Sequence, residues 1–213
     1  GFEAIGGVAF LVDNRSLPAD QWVLKPLALP FLPDFIRFGT GALLVENNQL
    51  YAFLVTEPGS HDVYLARWPL SSVVAGNLSG AQWYQPGLGW VSDSANITPI
   101  LESVQTEFSV HRDIESGLLQ LISVDGFGGT NVVMRMASQP QGPWSSMQFL
   151  ARPEESNRSN VIVYSAKAHP ALHGAKTPIG YCSNSLDSAE LLRDMSLYFP
   201  RFLRQKSLDE SGL

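Results

Sequence analysis

Residues 42–55 read Ala42-Leu43-Leu44-Val45-Glu46-Asn47-Asn48-Gln49-Leu50-Tyr51-Ala52-Phe53-Leu54-Val55. Two apolar runs, Ala42–Val45 and Leu50–Val55, flank four polar residues, which is the pattern of a β-hairpin around a tight turn. Downstream of this hairpin stand Val63–Trp68, which alternates and stops at Pro69, and then Gln82-Trp83-Tyr84. The same series recurs. Phe108–His111 and Leu118–Val124 flank Asp113–Gly117, and Val132–Ala137 and Met147-Gln148-Phe149 follow. A third series begins near Ala166, continues at Ile179–Ser183 and ends at Tyr198–Leu203.

Leu50 in the first series corresponds to Leu118 in the second and to about Pro178 in the third. Repeats of three or four antiparallel strands at this spacing predict an all-β fold and point to a β-propeller. The spacing exceeds the roughly 40–50 residues of familiar propeller repeats, and the surplus is expected in loops such as 73–80 and 86–100. A β-sandwich is the alternative. Upstream of residue 38 only half a unit is legible, as strands over Ile5–Val12 and Trp22–Leu29. Three and a half units fall short of the four to eight blades that close a ring. About one and a half further blades are therefore expected upstream or from another chain. Helical periodicity is confined to Ser188–Met195 and Leu70–Ala75.

Composition agrees with a packed β domain. Of 213 residues, 45% are hydrophobic and 16% charged, too few charges for a disordered or coiled-coil chain. Fourteen basic against twenty acidic residues give a net charge of -6, which argues against a nucleic-acid partner. One cysteine excludes an internal disulfide. No stretch is long and apolar enough to span a bilayer as a helix.

Several segments carry a family resemblance. They are Phe38-Gly39-Thr40-Gly41-Ala42, Thr106-Glu107-Phe108-Ser109-Val110-His111, Gln141-Gly142-Pro143-Trp144-Ser145, Ser165–Leu172, Tyr181–Ser185 and Tyr198–Phe202. In this order the chain resembles the C-terminal part of DUF4185/DUF5005-type five-bladed propellers, which are similar to furanosidase-type glycoside hydrolases. The resemblance runs from about Phe2 to Arg204. It implies one domain over residues 1–213, with a half blade at 1–37, blades at about 38–105, 106–160 and 161–205, and a tail at 206–213. It also implies a propeller incomplete at its N-terminus. The function it implies is binding or cleavage of a furanose-containing polysaccharide, in a secreted or periplasmic protein. The alternative is a non-catalytic propeller that binds a glycan or a protein.

Residues that open a repeat unit would line the mouth of a propeller channel. These are Thr40, Glu107 and Lys167. Sugar hydrolysis uses two carboxylates roughly 5–9.5 Å apart, and Glu107 is the acidic residue placed for catalysis. Asp125 reads as a turn residue instead. Glu107, Ser109 and His111 share one strand face by their period of two, as do Lys167 and His169. Lys167, His169, His111 and Thr40 are expected to contact substrate. The resemblance also implies that His169 could bind a channel metal ion, although no cofactor is called for. Trp90, within Gly87-Leu88-Gly89-Trp90, is expected in or near a loop and suits stacking against a sugar ring. Trp22 and Trp68 are expected in the core, and Trp144 between sheets. Arg201 is read as structural and Cys182 as a buried thiol. An oligomer that completes the ring is a further expectation.

Overall fold

A computed structural model describes residues 7–30, 32, 36–37, 41–126, 128–172 and 177–203. The chain is all-β, with only two short α-helices among the described residues. The first element is a hairpin of β1 (Ala9–Val12) and β2 (Leu24–Leu27). Trp22 lies outside it and is 44% exposed, with its indole N–H donated to the Leu17 carbonyl. The expected core role for Trp22 is therefore corrected. The strand starts two residues later because Pro18 and the short 3-10 turn Ala19–Gln21 hold the chain away from the ladder.

The second sheet contains β3 (Ile36–Arg37), β4 (Leu43–Glu46), β5 (Gln49–Thr56), β6 (Val63–Pro69), β7 (Gln82–Gln85) and β8 (Gly89–Val91). Its order is β3-β5-β6-β7-β8, with β4 on the same edge of β5 as β3. Asn47 and Asn48, at φ 50° and 58°, make the two-residue turn between β4 and β5. Both sit in the left-handed region, which Asn enters more readily than most residues. Gly41 precedes β4 where the backbone runs close to β5. A Cβ there would lie 2.3 Å from the Phe53 carbonyl oxygen. Trp90 belongs to the three-residue β8, paired with Tyr84 and close to the loops on either side. Gly87 and Gly89, both at positive φ, turn the chain back so that three residues can pair. The short α1 (Leu70–Val74) follows Pro69.

The third sheet is a meander of β9 (Ser109–Arg112), β10 (Leu119–Val124), β11 (Val132–Ala137) and β12 (Gln148–Ala151). The fourth pairs β13 (Val161–Ala168), β14 (Ile179–Ser185) and β15 (Arg201–Phe202). The strand expected at Tyr198–Leu203 is shorter. Asp194 caps a 3-10 turn over Met195–Tyr198, and this leaves only Arg201 and Phe202 to pair. Asp187 caps α2 (Ser188–Arg193) by accepting the Ala189 N–H.

These sheets pack face upon face. Phe53, Val55, Leu65, Phe108, Val110, Leu119 and Leu121 form one core between the second and third sheets. Ile122, Val124, Val132, Val163, Ala166 and Tyr181 form another between the third and fourth. The other face of the second sheet, with Leu54, Ala66, Trp68 and Trp83, is covered by Ala9 and Leu27 of the first hairpin. Trp144 fits against Phe53, edge to face at 6.2 Å. Alternation drives this arrangement. The central strands β5, β6 and β10 send alternate apolar side chains to the two cores on either side of them, so both their faces are covered.

Candidate functional site

Edge strands of three sheets come together, with β9 lying against both β4 and β13. Phe108, just before β9, and Val110 on it point into the core shared with the second sheet. Ser109 takes the opposite face, and its hydroxyl oxygen accepts the Ala168 N–H of β13 at 2.8 Å. That bond fixes the end of β13 beside the start of β9.

β13 reaches this place through a bulge. Tyr164 pairs with Cys182 and Lys167 with Gly180, so one residue is extra, and Ser165 takes a φ of 54°. Beyond the bulge Lys167 Nζ stands 3.6 Å from Glu107 Oε1. The two side chains are 35% and 40% exposed, so the pair is open to solvent and to a ligand. Tyr164 and Cys182 border the pair. Burial raises the ionisation of both above the ordinary values, and the negative charge of Glu107 adds to it. The Cys182 thiol is half-buried and is held as the thiol.

Next to Glu107, the Thr106 hydroxyl donates to Glu57 Oε2 at 2.8 Å. The ring of buried His61 brings Nε2 within 3.1 Å of the same oxygen. Glu57 and His61 lie in the loop between β5 and β6. A second carboxylate thus reaches the residue adjoining Glu107. Sequence reading missed it because Glu57 lies 49 positions from Thr106 and follows no local spacing.

The other expected site residues are dispersed. His111 is buried, and burial lowers its affinity for a proton despite the nearby charge of Asp113. Neither of its ring nitrogens has a hydrogen-bond partner among the described residues. His169 packs its ring edge-on against Phe202 at 5.6 Å and lies directly over Gly180. Its backbone N–H donates to Pro178, and its carbonyl accepts from Leu172, which secures the turn after β13. No group of three or more His, Cys, Asp or Glu side chains suited to a metal gathers among the described residues, at His169 or elsewhere. Trp90 has the Arg67 guanidinium over its ring at 4.0 Å, with Tyr51 and Tyr84 against its edges. Thr40 lies outside the described residues.

Residues read as structural behave so. Asp125 accepts the N–H groups of Thr130 and Asn131 and closes the loop between β10 and β11. Arg201 pairs with Glu155 at 2.9 Å, and the Tyr181 hydroxyl donates to the same carboxylate at 2.9 Å.

Residues 16–184 match the family model of a domain of unknown function, DUF4185. Among solved structures, the chain is similar to a "putative hydrolase" from Bacteroides ovatus ATCC 8483. The two share 18% identity with a TM-score of 0.58, over 76% of this chain and 43% of that one. The chain thus aligns to less than half the length of that relative. No curated protein matches.

Proposed function

The chain belongs to the DUF4185 family, and on that premise we propose that it forms part of a glycoside-hydrolase-like propeller acting on a furanose-containing polysaccharide. The observation that carries this reading is that two carboxylates from different loops are held by adjacent positions of the chain. Thr106 holds Glu57 while its neighbour Glu107 engages Lys167. Face-to-face sheets whose edge strands adjoin support the propeller geometry. The solved hydrolase relative supports the reaction class.

In this reading the glycosidic bond lies between the two carboxyl groups. Glu107 gives its proton to the leaving oxygen as the bond to the anomeric carbon breaks. Glu57 serves the opposite face, either taking a proton from the incoming water or bonding to the anomeric carbon before water displaces it. Thr106 fixes the orientation of Glu57. Lys167 swings from Glu107 to a sugar hydroxyl when substrate enters.

The test is reducing-end release from an arabinan, compared between wild type, Glu107→Gln and Glu57→Gln. Each variant is expected to lose at least about a hundredfold in rate, within the usual range for acid–base residues, while its melting temperature holds. Full activity in both variants would overturn the mechanism. Arabinan binding by a wild type that releases no product would instead favour a non-catalytic glycan-binding propeller.

A further inference from the structure

At the far end of β9 from Glu107, a cavity of about 430 Å³ opens between the second and third sheets. That volume lies within the roughly 300–1,000 Å³ of small-molecule sites. Its walls come from the β4–β5 turn, from β5, β6 and β8, and from the loop between β11 and β12. Two arginines line it, and they differ in their commitments. Arg112 is fully engaged, by the Glu46 carboxylate and by the carbonyls of Gly117 and Ser138. Its charge is answered by Glu46.

Arg67 is held but not satisfied. Its guanidinium lies 4.0 Å over the Trp90 ring, and its Nε donates to Gln82 Oε1 at 3.0 Å. Trp90 is in turn wedged against Tyr51 and Tyr84, so the platform is rigid. The two terminal nitrogens of Arg67 have no partner among the described residues, and no carboxylate there pairs with it. A planar fork fixed by stacking and by one hydrogen bond binds a carboxylate through two parallel bonds, with little entropy left to lose. Asn47, Ser138, Gln139 and Gln141 add amides and a hydroxyl, which donate and accept as sugar hydroxyls require.

We infer that this cavity binds a glycan residue bearing a carboxylate, a uronic acid, with Arg67 as its anchor. Trp90 then contributes by supporting Arg67, not by stacking on the sugar. The site lies apart from the Glu57–Glu107 pair and stands or falls independently of it.

Calorimetric titration with trigalacturonate, and with galactotriose as the neutral counterpart, tests the inference. Wild type is expected to bind the acidic trisaccharide saturably and the neutral one at least tenfold more weakly. Arg67→Ala and Arg67→Lys are both expected to weaken trigalacturonate binding at least tenfold, because Lys keeps the charge and loses the fork. Glu107→Gln is expected to bind it as wild type does. Equal affinity for the two sugars, no binding by wild type, undiminished binding by Arg67→Ala, or loss in Glu107→Gln would each overturn the inference. Should Arg67→Ala not fold, the Trp90 indole N–H resonance of wild type decides. It shifts on adding trigalacturonate if the inference holds and stays fixed if it does not.

Discussion

The Ala168 amide and the Ser109 hydroxyl, 2.8 Å apart, join the first strands of two sheets that share no backbone ladder. Ala168 is buried and Ser109 partly so, which leaves the N–H poorly placed to bond water instead. Ser109→Ala is expected to destabilise the chain by about 1–3 kcal/mol, the cost of a buried donor left unmet. Urea unfolding measures the loss. Because Lys167 adjoins Ala168, the same variant is expected to weaken any ligand affinity that depends on Lys167.

Tyr181 and Arg201 both bind Glu155. Burial, with the Glu155 hydrogen bond and charge adding to it, pushes the tyrosine up to about 12 from an ordinary 10.0. The unfolded chain ionises first as pH rises, so this contribution is complete below about pH 10 and is lost towards about pH 12. Tyr181→Phe is expected to lower stability by about 1.5–3 kcal/mol at neutral pH, as for a hydrogen bond to a charged group. It is also expected to lose that alkaline dependence. Denaturation midpoints between pH 8 and 12 check both.

His111 gives the opposite pH behaviour. Burial holds its imidazole below the ordinary 6.5, so the unfolded state takes up a proton before the folded state does. Its stabilising contribution is complete above about pH 6.5 and declines as pH falls through the lowered folded value. A melting series from pH 4.5 to 8 should show a decline on the acid side that His111→Phe reduces. An unchanged profile would remove His111 as its source.

Gly41 has no room for a side chain, since a Cβ would meet the Phe53 carbonyl at 2.3 Å and the Phe108 ring at 3.0 Å. Gly41→Ala is expected to cost about 1–3 kcal/mol, as overpacking does. The lost stability should appear as a lower urea midpoint. Far-UV circular dichroism should be unchanged, since the ladder beyond Ala42 is untouched.

The strands that sequence reading located best are those whose alternation and turn chemistry agree, such as β11 over Val132–Ala137 and the hairpin about Asn47-Asn48. β13 was legible only over Val161–Tyr164. Its continuation, Ser165-Ala166-Lys167-Ala168, has no β-branched or aromatic residue, and a bulge interrupts its period. Short strands held by partners alone, such as β3 and β8, left no local pattern. At the site, Glu107 and Lys167 were legible because each opens a repeating unit. Glu57 and Arg67 were not, because their importance comes from residues that only folding brings close. Trp90 reads in the sequence as an aromatic in or near a loop, but the cation it supports cannot be read from its neighbours in sequence.

The bulge at Ser165 inverts the polarity of everything after it. Val161 and Val163 are buried before it, whereas Ala166 and Ala168 are buried beyond it, so the inward parity changes from odd to even. Lys167 owes its outward position to this single inserted residue. Laid out at the same length as an unbroken ladder, this sequence would turn Lys167 toward the hydrocarbon between two sheets and Ala166 and Ala168 out to water, whereas deleting Ser165 removes the extra residue and leaves all three facing as they do. In this strand the bulge, as much as the residue types, encodes the site: without it the same sequence would keep the lysine and lose the lysine's place beside Glu107.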